Sequence, residues 1–198
     1  MPGGSEAYYL ESFHLLDRGG AYASAKSGRR FAVSHQTPGT GVAGQTSFSV
    51  TTPTFLLYQA AGPRRVVLSS LNLSLVSPAP GGPVNVLVAL DRTNRYSSGG
   101  TPVTPQNFLA DSADPADANT AGFSFRTNPA ATAAGAGADV PRYAYHWLIS
   151  PTIMSPVPLS VDFGDGAVIG QTGSILIYTW ASTTAPSWVF GFDAIEED

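Results

Sequence analysis

The chain has 198 residues, no cysteine and a formal net charge of −4, with only 12% of its residues charged. The missing cysteines exclude disulfides and thiolate metal sites. The sparse, slightly acidic surface argues against nucleic-acid binding, which needs a basic face. No apolar run approaches the roughly 18–20 residues of a membrane-spanning helix.

The opening Met1-Pro2-Gly3-Gly4-Ser5-Glu6 has neither a basic stretch nor an apolar core, so no signal peptide is expected and synthesis in a cytoplasm is. Residues 1–45 read as an N-terminal arm with few core positions. Within it, Ala7 to Leu16 fits a short helix with Tyr9, Phe13 and Leu16 on one stripe, and equally fits an extended segment. Lys26 to Ser34 gives a turn and a short strand, and 36–45 is glycine-rich loop. Gly39-Thr40-Gly41-Val42-Ala43-Gly44 matches the spacing of a dinucleotide loop. It precedes a strand pattern rather than a helix, so no nucleotide is expected there.

From residue 46 to 198 the period of two takes over, and this span is expected to be the folded domain. Ser47 to Thr52 alternates up to Pro53, and Phe55-Leu56-Leu57-Tyr58 is a short apolar run. Val66 to Val76 follows, with Leu71, Leu73 and Leu75 on one side and Asn72 and Ser74 on the other, as in a half-buried strand. The Pro/Gly stretch 77–83 separates it from Val84 to Leu90, and the two strands read as a hairpin. Residues 92–142 are rich in Pro, Gly and Ala and read as long irregular loops around one strand, Phe123 to Thr127. A loop region of that length suggests a surface that meets a neighbour. Strands resume at Tyr143 to Ile149. They continue through Pro156 to Phe163, a turn at Gly164-Asp165-Gly166, Ile175 to Ser182 with both faces apolar, and Trp188 to Phe192 ahead of an acidic tail. The expected fold is all-β, an antiparallel β-sandwich of the jelly-roll kind, with an immunoglobulin-like sandwich as the other candidate.

No chemistry stands out, and neither an enzyme nor a cofactor is expected. There is no G-x-S-x-G and no thiol nucleophile, and the glutamates lie only at positions 6, 11, 196 and 197. His14, His35 and His146 lack metal-ligand spacing. Asp162-Phe163-Gly164-Asp165-Gly166 lacks the spaced oxygens of a calcium loop and reads as a turn. Arg29-Arg30 and Arg64-Arg65 suit either interface contacts or intramolecular ion pairs.

Four phrases resemble a type of virion protein from tailed bacteriophages: Ser27 to Phe31, Thr51 to Tyr58, Asn94 to Thr101 and Gly173 to Tyr178. The resemblance implies a β-sandwich structural protein at the capsid surface, a decoration (cement) or head accessory subunit. It implies homo-oligomers, often trimers, and the major capsid protein or other virion proteins as partners. The residues expected at such contacts are Tyr8, Tyr9, Phe13, Arg29, Arg30, Phe31 and Phe108. The alternative is a receptor- or carbohydrate-binding module that stacks sugars on aromatics such as Tyr143, Tyr145 and Trp147.

Overall fold

A computed structural model describes residues 25, 27–35, 37, 39–59, 64–76, 82–109, 121–133, 142–150 and 158–197, with the side chains of 158 and 164–166 outside that description. It holds fourteen strands: β1 (Arg30–Ser34), β2 (Val42–Ala43), β3 (Phe55–Gln59), β4 (Arg65–Val76), β5 (Val84–Asp91), β6 (Tyr96–Ser98), β7 (Thr101–Val103), β8 (Gln106–Asn107), β9 (Phe123–Thr127), β10 (Ala130–Ala131), β11 (Arg142–Ile149), β12 (Pro158–Ile169), β13 (Ser174–Ala181) and β14 (Ser187–Glu197).

Twelve of these strands form two antiparallel sheets packed face to face, and β6 and β10 pair as a separate two-stranded ribbon. One runs β12-β4-β14-β1-β8 with β2 also on β14, and the other runs β11-β5-β13-β3-β9-β7. Eight strands carry the frame: β1, β3, β4, β5, β11, β12, β13 and β14. Numbered in chain order, they lie first-eighth-third-sixth in one sheet and second-seventh-fourth-fifth in the other, the double Greek-key order of a jelly roll. The expected all-β sandwich is what the chain forms.

The core lies between the sheets. Phe31, Leu71, Leu73, Trp188, Phe190 and Phe192 face it from one side, and Phe55, Leu57, Val86, Val88, Phe125, Ile175 and Ile177 from the other. Rings meet across the gap, with Phe55 4.9 Å from Phe190 and Phe125 4.7 Å from Phe192 between centroids. The second sheet is also buried on its outer face, where Leu56, Tyr58, Leu87, Ala89, Leu176 and Tyr178 form another apolar cluster. This accounts for the two-sided apolar pattern of β13, which lies between β5 and β3.

Several local expectations are corrected by this topology. The strands on either side of 77–83 are not a hairpin: β4 pairs with β12 and β14, whereas β5 pairs with β11 and β13. β4 and β5 therefore belong to different sheets, and each finds its partners far along the sequence. The stretch 47–52 is not a strand but a strap over the outer face. It is tied by the Gln45 amide donating to Thr179 O at 2.8 Å and the Tyr178 hydroxyl donating to Val50 O at 2.9 Å. The Gly164-Asp165-Gly166 turn is an irregularity inside β12: Asp162 pairs with Ser70 and Ala167 with Leu68, so the extra residues bulge from one continuous strand.

The portion read as an arm divides in two. Residues 1–24 lie outside the described residues, whereas Arg30–Ser34 is a strand of the frame, paired with β14 and β8. The glycine-rich loop packs closely: a Cβ on Gly41 would stand 2.2 Å from Ser187 Oγ, and one on Gly44 2.5 Å from Thr179 O. Glycine is required there for close approach, not to cradle a phosphate. The region 92–142 supplies β6 to β10, of which only β9 was expected.

Candidate interaction surface

The two lateral sides of the sandwich end differently. On one side, the chain's own insertion between β5 and β11 covers the edges. β8 adds to β1, and β9 and then β7 add to β3. The last strands on this side are two and three residues long, and β7 contains Pro102, which cannot donate to a further strand. Short edges and proline are devices that stop a sheet from growing. The insertion is clamped by Arg126, whose Nη1 donates to Gly99 O at 3.1 Å and whose guanidinium lies 4.7 Å over the Tyr96 ring.

On the other side, β11 and β12 end their sheets with eight and twelve residues and no further strand on either among the described residues. β12 is interrupted by its bulge. β11 runs Arg-Tyr-Ala-Tyr-His-Trp-Leu-Ile, with no proline and no acid. Its register on β5 skips Ala144, so Tyr143, His146 and Leu148 fall on the outer face and Tyr145, Trp147 and Ile149 on the inner face.

The outer row packs onto the strap: Phe48 meets Tyr143 at 6.3 Å and Trp180 at 5.2 Å, and His146 stacks on Trp180 at 5.8 Å. The inner row stands at the mouth between the sheets, where Tyr145 stacks on Trp147 at 5.5 Å and meets Phe163 of β12 at 5.4 Å. Leu148 is 66% exposed, Tyr143 51% and Val168 49%. Of the large apolar side chains exposed among the described residues, only Phe108 lies away from this side and from Phe48, which packs on it. A long edge with unpaired backbone groups and aromatic flanks is a template for another chain.

The residues expected at an interface are placed as follows. Tyr8, Tyr9 and Phe13 lie outside the described residues. Phe31 is 1% exposed in the core, edge-on to Phe123 at 5.7 Å, so this chain already covers it. Phe31 and Val33 recur at every second position of β1, which marks one face of the strand but not whether the chain itself or a partner covers it. Arg30 donates through Nε to both carboxylate oxygens of Asp193 at 3.1 Å, and those bonds hold its pKa above the ordinary value. Arg30 also lies 4.9 Å over the ring of Phe108, which is half exposed. Arg29 is half-buried, its carbonyl accepting from the Glu196 amide at 2.8 Å.

Sequence reasoning missed the buried acid. Glu196, read as tail, is 1% exposed; it accepts from Arg64 Nη1 at 3.2 Å and from the Gly122 amide. Among the described residues, no group of three or more His, Cys, Asp or Glu could hold a metal ion. His35 Nδ1 is turned into a local contact with Thr37, and His146 is on the other sheet. The chain matches no family model, no curated protein and no solved structure.

Proposed function

We propose that the protein is a non-enzymatic structural subunit of a virion, a capsid decoration or head accessory protein that binds the shell and neighbouring copies, with β11 as its docking edge. The observation that carries this reading is the one-sided finish of the sandwich. The chain caps the β1 and β3 edges with its own strands, and among the described residues no strand caps the eight-residue aromatic edge β11. A subunit that must add to an array without aggregating at random needs one productive edge and blunted others. Burial of Tyr143, Tyr145 and Leu148 against a partner contributes about 25 cal/mol per Å² of apolar surface removed from water. The phrases shared in texture with tailed-bacteriophage virion proteins support the choice of array.

The test is sedimentation of the purified protein with icosahedral particles, followed by imaging. The reading predicts ordered density on the shell and loss of attachment in Leu148→Asp. Free protein in the supernatant, or attachment indifferent to β11 substitutions, contradicts it. A second reading, a glycan-binding module, is favoured by the Tyr145–Trp147 stack, in which Tyr145 is 43% exposed. Saturable binding on a glycan array that disappears in Tyr145→Ala would select it.

A further inference from the structure

A cavity of about 410 Å³ opens where the end of β5, the start of β11 and the turn from β12 to β13 meet. Arg92 and Arg142 both line it. In the β11–β5 register Arg142 stands opposite Leu90, two residues before Arg92, so the two cations belong to one corner. Neither guanidinium has a hydrogen bond or ion pair among the described residues.

The acid that lines the same cavity is already engaged. Asp91 accepts from Arg95 Nε at 2.7 Å and from the Thr93 amide at 2.8 Å, and its side chain is 4% exposed. Farther along the first sheet, Glu196 is held by Arg64 and Asp193 by Arg30. Among the described residues, the corner therefore carries two positive charges with no carboxylate paired to them. Guanidinium groups present forked donors that match the two oxygens of a carboxylate or phosphate. Leu90, Val168 and Ile169 form an apolar wall beside them. A Cβ on Gly170, which also lines the cavity, would meet nothing within 4 Å, so the space beside it is open.

We infer that this cavity is an oxyanion-binding site in which Arg92 and Arg142 clamp one carboxylate or phosphate group. The site lies at the end of the open edge, yet it depends only on the cavity and its two cations, and it holds whether or not β11 is an interface. The occupant is either a free phosphate or a carboxylate presented on a polypeptide, and the two sources are separable by experiment.

Backbone amide shifts of the full chain are followed by NMR at constant ionic strength. The probes are inorganic phosphate, the blocked peptide acetyl-Leu-Glu-Leu-amide and its Gln counterpart. The expected result is a saturable shift at Thr93, Thr172 and Gly173 with phosphate or the Glu peptide and none with the Gln peptide. Tighter phosphate binding assigns a free phosphate, and tighter peptide binding assigns a polypeptide carboxylate. Arg92→Gln with Arg142→Gln should weaken the binding by about tenfold or more, because two charge-assisted hydrogen-bonding groups are lost. Arg92→Lys with Arg142→Lys keeps the charge but loses the fork, and should fall between. The rest of the spectrum stays unchanged if the variants fold. No saturable shift with any probe overturns the inference. So do shifts spread over all arginines, equal binding by the Glu and Gln peptides, and a Gln variant that binds as well as the parent.

Discussion

The β1/β3 side and the β11/β12 side are built from the same kind of strand and finish in opposite ways. On the first, a long insertion folds back as β7, β8 and β9, ends in strands of two and three residues and places Pro102 at the rim. On the second, β11 presents eight residues with exposed Tyr143, Tyr145 and Leu148. Among the described residues, the first side is closed by the chain's own short strands and the second ends on β11 and β12. Side chains on the finished side should carry stability, and those on the open side should carry association.

The comparison breaks if the two sides respond alike to truncation. Phe125→Ala empties a site that is 1% exposed and ringed by Phe55, Phe190 and Phe192. It should cost about 3–5 kcal/mol in chemical denaturation, whereas Tyr145→Ala on the open edge should cost far less. Next in size, Arg95→Met leaves the Asp91 carboxylate buried with only the Thr93 amide as partner, and should destabilise by about 3 kcal/mol. That ion pair also fastens the cover of the outer face, because Arg95 Nη1 donates to Ala133 O at 3.2 Å.

A smaller effect comes from Tyr178. Burial raises its phenol above the ordinary value of 10.0. The unfolded chain loses that proton near 10.0 while the folded chain keeps it, so above this pH the folded state binds more protons. Stability is then full at neutral pH and falls as pH rises through and beyond 10.0. Thermal melts should show this decline, and Tyr178→Phe should flatten it while losing about 1 kcal/mol at neutral pH through the orphaned Val50 carbonyl. Smallest of all on the isolated subunit, Leu148→Arg should leave stability within about 0.5 kcal/mol. Its effect belongs to assembly, and a large loss of monomer stability would mean that the edge is part of the core.

What was legible in the sequence follows from how local each cause is. Alternation through Leu71, Leu73 and Leu75 needs only neighbouring residues to declare a strand, and the two-sided pattern of Ile175 to Trp180 marks a strand interior to its sheet. Partner choice is not local: nothing within Val66–Val76 or Val84–Leu90 says that they part into different sheets. The insertion was read as loop because Pro102 and Pro105 are poor strand signals, and edge strands are where proline is tolerated. Glu196 looked like a solvated tail because its partners, Arg64 and Gly122, are distant in sequence. The aromatic run Tyr143 to Ile149 was visible as a strand. Its position at an open edge became visible only with the topology.

The most direct test of the one-sided account is amide hydrogen exchange, compared between the isolated subunit and its assembled form. The account predicts that the outward-pointing amides of β11 exchange fast alone and become protected on assembly, while β1, β3 and β7 to β9 keep the same protection in both. New protection confined to the β7–β9 side, with β11 exchanging equally fast in both states, would contradict it.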